Sequence, residues 1–392
     1  MARGPVAGLG WRARLAHGFT RRCDLTIPGW PSGKRLGKSR GWPAGLATEL
    51  AGGQNLGRQP ETHMAETTSK REYFIGVDLG GTKILAGVFT PQFKCLGKVK
   101  MSTKPERGPE GVLERVARCV QEVVDECDLK FDSIKALGIG APGAIDPEEG
   151  RMIFAPNLKW ENVPIKKSLE QQLGLPVFVE NDCNVCALGV YETELDPKPR
   201  SMVGIFLGTG IGGGIVLEGK PYSGFNRTAG EIGHMVLEVN GPKCGCGNKG
   251  CFEALASRTA LFRKIQSAVK AGQKTVLTEM LGPDLTDMRS GDLRKALRRG
   301  DKFVEKIVEE AAEYTGIAVA NIINLLNPEV VVLGGGVMDQ LADDMMSIIV
   351  ETAKDYALTG TMKGIEILAS KLGDDAGITG AAVLAKRESK EK

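Results

Sequence analysis

The pattern of apolar and polar positions changes near residue 72. Beyond it, short apolar runs alternate with polar or glycine-rich turns, which predicts strands at Tyr73–Asp78, Ile84–Phe89 and Cys95–Lys100. Val112, Val116, Val120, Val123 and Val124 then recur at helical spacing and fall on one helix face. A strand at Ala136–Ile139 runs into the loop Gly140-Ala141-Pro142-Gly143, followed by a helix at Ile165–Leu173 and a strand at Val177–Glu180. The first half therefore reads β-β-β-α-β-α-β, an α/β pattern.

The second half opens in the same way. Ser201–Leu207 is an apolar strand, Gly208–Gly213 a glycine-rich turn and Gly214–Leu217 a second strand. Helical stretches run from Ser257 to Leu326, and the helix after Glu180-Asn181-Asp182 is placed at Val185–Glu192. Val330–Leu333 reads as a buried strand ending in Gly334-Gly335-Gly336, Ile365–Ala369 as one more strand, and Gly377–Lys386 as a helix of small residues. A strand, a glycine-rich turn and a strand at the head of each half form a weak internal repeat, which predicts two similar lobes around a cleft.

Residues 1–63 follow neither period. They hold three of the four tryptophans, with ten Lys and Arg against three Asp and Glu. We expect residues 1–71 to be a disordered or non-native extension. A start assigned upstream of Met64 would produce this pattern; an Arg-rich, acid-poor transit peptide is the other reading. The net charge of +3 is concentrated in that segment and is too small to make nucleic acid a main partner. No apolar run is long enough to span a bilayer. Nine cysteines, an odd number, do not suggest a disulfide framework, so a cytoplasmic, reducing environment is expected and the cysteines are free to bind metal.

Two turns could hold phosphate. Asp78-Leu79-Gly80-Gly81-Thr82-Lys83 lies between two strands, where glycine lets backbone N–H groups approach an anion; Thr82 adds a hydroxyl, and Asp78 suits Mg²⁺ through water. A strand follows the turn, whereas Walker A and Rossmann loops are followed by a helix. Gly208-Thr209-Gly210 repeats the device in the second half, and Gly334-Gly335-Gly336 is placed near adenine and ribose. Asp182 has two readings, a helix cap or a general base for a sugar hydroxyl, and spacing does not separate them. His234 with Cys244, Cys246 and Cys251 makes a Cys₃His set, the inventory of a closed structural zinc site. Zinc there would fix the loop carrying Glu231 and Glu253, both within reach of sugar hydroxyls.

Taken together, Asp78-x-Gly80-Gly81-Thr82-Lys83, Leu207-Gly208-Thr209-Gly210-x-Gly212, Glu180-Asn181-Asp182, Glu231-Ile232-Gly233-His234 and Cys244-x-Cys246-Gly247-x-x-Gly250-Cys251-x-Glu253 resemble the ROK family from about Tyr73 to Lys386, and within it the bacterial glucokinases. The resemblance implies an actin-like, ribonuclease H-like two-lobed α/β fold with the active site in its cleft. It places residues 72–185 with 372–392 in one lobe and 186–371 in the other. It implies ATP and Mg²⁺, structural Zn²⁺, phosphorylation of glucose to glucose 6-phosphate with Asp182 as base, and a homodimer. Sugar contacts are expected from Asn181, Glu231, His234 and Glu253, with Asn157 and Gly143 in neighbouring loops. Fructose, mannose, N-acetylmannosamine and N-acetylglucosamine are alternative substrates. A sugar-responsive regulator is disfavoured, because residues 1–63 carry no winged helix-turn-helix pattern.

Overall fold

A computed structural model describes residues 72–390. The expectations for residues 1–71 lie outside these described residues. The described chain runs β1 (Tyr73–Leu79), β2 (Lys83–Phe89), β3 (Cys95–Ser102), α1 (Gly108–Glu126), β4 (Ile134–Ala141), β5 (Ala144–Asp146), β6 (Arg151–Ala155), β7 (Trp160–Val163), α2 (Ile165–Leu173), β8 (Val177–Asn181) and α3 (Asp182–Thr193). It continues with β9 (Ser201–Leu207), β10 (Ile211–Leu217), β11 (Lys220–Pro221), α4 (Phe252–Ala256), α5 (Arg258–Lys270), α6 (Val276–Leu281), α7 (Ser290–Arg298) and α8 (Lys302–Leu326). It ends with β12 (Val330–Gly334), α9 (Met338–Tyr356), β13 (Glu366–Ala369) and α10 (Ala376–Glu388).

Two five-stranded sheets share one topology. The first has the order β3-β2-β1-β4-β8 and the second β11-β10-β9-β12-β13. In each, the first strand of the half pairs antiparallel with its hairpin partner and parallel with the strand on its other side. The repeat read from the sequence is thus a repeat of whole sheets. The central strands are buried on both faces, as parallel strands covered by helices must be.

The structure corrects three local readings. β10 begins at Ile211 and not Gly214, because Gly212, Gly213 and Gly214 pair with Phe206, Ile205 and Gly204 as ordinary ladder residues. α3 begins at Asp182 and not Val185, since the Asn181 side chain caps it. A third, three-stranded sheet, β5-β6-β7, occupies a stretch that carried no strand pattern, because its strands are only three to five residues long and β6 and β7 each expose two adjacent residues between their ends. Among the described residues no helix is long and apolar enough to cross a membrane.

α10 joins these parts at backbone distance. A Cβ added to Gly76 of β1 would lie 1.8 Å from the Ile378 carbonyl oxygen, and one on Gly138 of β4 would lie 1.8 Å from that of Ala381. On the opposite side, a Cβ on Gly380 would lie 1.6 Å from the Val185 carbonyl oxygen of α3. Three glycines therefore let one helix lie directly against two strands and a second helix. Helix propensity alone predicts that Gly380→Ala stabilises the protein by about 1 kcal/mol. The contact predicts the opposite: a loss of about 2–3 kcal/mol in urea unfolding. A gain in stability would show that the α3–α10 approach is not close.

Candidate active site

The cleft is built from strand ends. β8 delivers Glu180-Asn181 to the start of α3, and the Asn181 carboxamide oxygen accepts from the backbone N–H of Cys183 at 2.9 Å and of Asn184 at 3.1 Å. Its Nδ2 donates to the Gly143 carbonyl at 3.1 Å. Asn181 is therefore the N-cap, and Asp182 is the first helical residue. Behind them, Glu180 is 5% exposed and accepts from the Asn181 N–H at 2.8 Å and Asn184 Nδ2 at 3.1 Å. Sequence reading gave Glu180 no separate role, yet it holds Asn181 and Asn184, on either side of the candidate base.

Asp182 Oδ1 accepts from the Cys183 N–H at 2.8 Å. A helix N-terminus favours the charged form of such an acid. Burial works against it and is the larger effect; the Asp78 charge adds to burial, and together they push the Asp182 carboxyl up to about 6. Asp78 is also raised, by burial first, with Lys83 opposing and Asp374 adding to the shift. Among the described residues no hydrogen bond reaches the Asp78 carboxylate. A Cβ on Gly377, in the first turn of α10, would come within 3.1 Å of it.

These groups border a cavity of about 440 Å³. It brings together the expected sugar-contacting and catalytic residues Gly143, Asn157, Asn181, Asp182, Glu231, His234 and Glu253 with Gly208 and Gly210 of the second turn. Arg227 and Asn184, which sequence reading missed, also line it. Neither residue belongs to a spaced motif, so only three-dimensional proximity singles them out. Thr209 borders a neighbouring cavity of about 340 Å³, again with Asn157, Gly210 and Glu253.

The first turn closes through the Gly80 N–H donating to the Lys83 carbonyl at 2.9 Å. Buried Thr103, another unrecognised residue, clamps it: its hydroxyl donates to the Gly80 carbonyl at 2.7 Å and its N–H to the Thr82 carbonyl at 3.0 Å. Asp78, Gly80, Gly81, Thr82 and Lys83 lie outside the cavity wall. A Cβ on Gly81 would reach 4.0 Å from the carbonyl oxygen of Asn157, which does line it. The second turn closes through the Gly208 N–H donating to the Gly210 carbonyl at 2.8 Å. The Arg258 guanidinium donates to the Thr209 hydroxyl, and Thr259 Oγ1 donates to the Thr209 carbonyl at 2.7 Å. The third run, Gly334-Gly335-Gly336, borders neither cavity. Gly335 has φ +87° and lies where a Cβ would come 2.7 Å from the Leu207 carbonyl oxygen, so a glycine is required there.

His234, Cys244, Cys246 and Cys251 offer ligand atoms that all lie within 4.8 Å of one another. His234 Nδ1 is 3.8 Å from Cys244 Sγ, and Cys246 Sγ is 3.7 Å from Cys251 Sγ. Tetrahedral Zn–S bonds of about 2.3 Å require S···S edges of about 3.8 Å, so the donor set fits a structural zinc ion. The other His234 nitrogen, Nε2, is 3.9 Å from Glu231 Oε2. Glu253 follows Cys251 by two residues, and its Oε2 accepts from the Ile211 N–H at 3.0 Å.

Known proteins share this fold and much of its sequence. A glucokinase of Thermotoga maritima is 38% identical over 314 residues, 80% of this chain and 96% of its own length. A crystal structure of a ROK family glucokinase from Streptomyces griseus in complex with glucose and AMPPNP superposes with a TM-score of 0.69 at 33% identity, covering 80% of this chain and 99% of that one. The ROK hexokinase of Thermus thermophilus gives 0.66 at 34% identity, covering 82% and 100%. The paired sheets are thus the actin-like fold expected from the motifs. The ROK family model matches residues 74–388, nearly the whole described chain, and that span together with these relatives makes the protein a member of the ROK family.

Proposed function

We propose that this chain is an ATP-dependent hexose kinase whose preferred acceptor is glucose, with Asp182 as the general base. One observation carries this reading: a single cavity gathers Asp182 with Asn157, Glu231, His234 and Glu253, a set of donors and acceptors suited to a polyhydroxylated ring. The glucokinase relatives supply the substrate class. Asp182 accepts the proton of the sugar hydroxyl as its oxygen bonds to the γ-phosphorus and the bond to the leaving ADP oxygen breaks. The raised carboxyl suits a base, since an acid with its pKa nearer the working pH is the stronger proton acceptor. Gly80, Gly81, Thr82 and Lys83 on one side and Gly208, Thr209 and Gly210 on the other hold the phosphates.

Mg²⁺, when bound with the nucleotide, would neutralise charge building on the phosphates. Asp78 is the residue to hold it through water, being a buried carboxylate next to a second carboxylate with no hydrogen-bond donor among the described residues. Zinc on His234, Cys244, Cys246 and Cys251 serves as scaffold, keeping Glu231 and Glu253 on the cavity wall.

The test is ADP release over a panel of glucose, fructose, mannose, N-acetylmannosamine and N-acetylglucosamine, with the full chain and its Asp182→Asn variant. Glucose is expected to be the fastest acceptor. The variant should lose at least about 10²–10⁴-fold in kcat while still binding glucose by calorimetry. Near-normal turnover in a folded variant would sink the mechanism, and equal use of all five sugars the substrate.

The titration of Asp182 sets a pH window. Turnover should be flat at neutral pH and fall as pH drops through about 6, where this carboxylate takes up its proton. Its folded pKa is raised from 3.8, so the ionised group costs stability above about 6 and costs nothing below 3.8. Asp182→Asn should accordingly melt higher than the parent at neutral pH, with the difference vanishing near pH 4. A turnover profile breaking near pH 4 instead would contradict this assignment.

Chelation should release one zinc per chain, lower the melting temperature by several degrees and be reversed by added Zn²⁺. Unchanged melting after metal analysis confirms complete removal would exclude a scaffold role.

A further inference from the structure

The sugar cavity is rich in hydrogen-bond acceptors and short of donors. Its wall carries three carboxylates, Asp182, Glu231 and Glu253, against one guanidinium, that of Arg227. Several neutral donors are committed to the protein. Asn181 Nδ2 donates to the Gly143 carbonyl, Asn184 Nδ2 to Glu180, and Thr228 Oγ1 to Asn226 Oδ1 at 2.7 Å. A hexose asks for more donors than this. Each of its hydroxyls offers a hydrogen and also accepts, and its ring oxygen only accepts. The carboxylates answer the hydrogens. Donors must answer the lone pairs, or those oxygens give up their water without a replacement.

Arg227 is placed to supply them. It belongs to the loop between β11 and Glu231, which closes on itself through the Ala229 N–H donating to the Ser223 carbonyl at 2.9 Å. Gly224 at φ +74° and Gly230 at φ +90° turn the chain at the two ends of this loop. Arg227 itself has φ +64°, a left-handed backbone that a long side chain rarely adopts. Its ion pair is a weak reason to hold that conformation. Nη2 meets Glu148, in the turn between β5 and β6, at 2.9 Å, but the Glu148 side chain is 81% exposed, and a pair so open to water contributes little. Glu180 feels the Arg227 charge, yet its hydrogen bonds come from Asn181 and Asn184. Among the described residues the guanidinium makes one hydrogen bond, to Glu148, so most of its N–H groups are unspent. Strain at a residue on a cavity wall points to a use for that residue.

We propose that Arg227 is a sugar-binding residue, whose guanidinium donates to an acceptor oxygen of the hexose while Glu148 merely steadies it. The assignment rests on the kinase reading above and adds to it the charged donor that matches the sugar's lone pairs. It also gives the loop after β11 a part in choosing the substrate, because a sugar lacking that oxygen leaves the guanidinium unmatched.

The test is calorimetry of glucose binding without nucleotide, using the full chain and its Arg227→Met, Arg227→Lys and Glu148→Gln variants, each checked for parental melting. Arg227→Met should bind glucose at least about tenfold more weakly, since it removes a charged donor. Arg227→Lys should fall between that variant and the parent, and Glu148→Gln should stay within about twofold of the parent. The same titrations are run with monodeoxyglucoses, each lacking one hydroxyl, and with the analogue carrying sulfur in place of the ring oxygen. One of these should bind the parent about fivefold or more weakly than glucose does, and Arg227→Met should no longer distinguish it from glucose. A Glu148→Gln loss equal to that of Arg227→Met would show that Arg227 acts by bridging the two halves and would overturn the contact. Analogue penalties identical in parent and Arg227→Met would overturn it too, as would an Arg227→Met variant that binds glucose like the parent. A parent that binds no hexose would remove the kinase reading and this assignment together, whereas a parent that binds glucose beside an indifferent variant removes the assignment alone.

Discussion

The rest of the molecule depends on the close approach of α10 to β1, β4 and α3. Side chains are excluded from these contacts, so the helix meets its neighbours as backbone on backbone, with no soft layer to absorb a shift. Asp78 is the penultimate residue of β1 and Asp182 the first of α3, so one helix sets the relation between the two carboxylates. Gly377, at the start of the same helix, leaves the space that Asp78 occupies. A small-residue sequence near the end of the chain thus sets a distance between groups from two remote segments.

That arrangement has an electrostatic consequence. The Asp78 charge raises the Asp182 carboxyl on top of what burial does, while Asp78 is itself raised by burial, with Lys83 opposing and Asp374 adding, a conflict that the fold tolerates because the surrounding contacts are rigid. The neighbouring thiols of Cys183 and Cys186 are pushed well up by burial, and therefore stay neutral and add no further negative charge.

Much of this was legible in the residues. β9 and α2 fall where their apolar patterns put them, because a buried strand and an amphipathic helix carry strong periods. The Cys₃His set was legible from spacing, since three thiols within one short loop have few other uses. The β5-β6-β7 sheet was not, because strands of three to five residues are too short to show a period. Asp182 was found, but its environment was not: the helix-end argument sees only local dipoles, whereas burial and Asp78 come from the tertiary fold. Thr103, Arg227 and Arg258 left no signal in the sequence, being single polar residues whose partners are brought to them by folding.

Glu253 gives the cysteine loop a reach beyond its own ligands. One of its carboxylate oxygens holds the first N–H of β10, and the other lies 3.7 Å from Cys244 Sγ. The strand so tethered begins where the second glycine turn ends, and Arg258 and Thr259 at the head of α5 grip that turn from the far side. Cysteine sulfurs, carboxylate, turn and helix therefore form one continuous strut. Disturbance among the sulfurs would be transmitted along it to the glycine turn bordering the cleft, so the integrity of the cysteine loop and the shape of that turn are a single mechanical property.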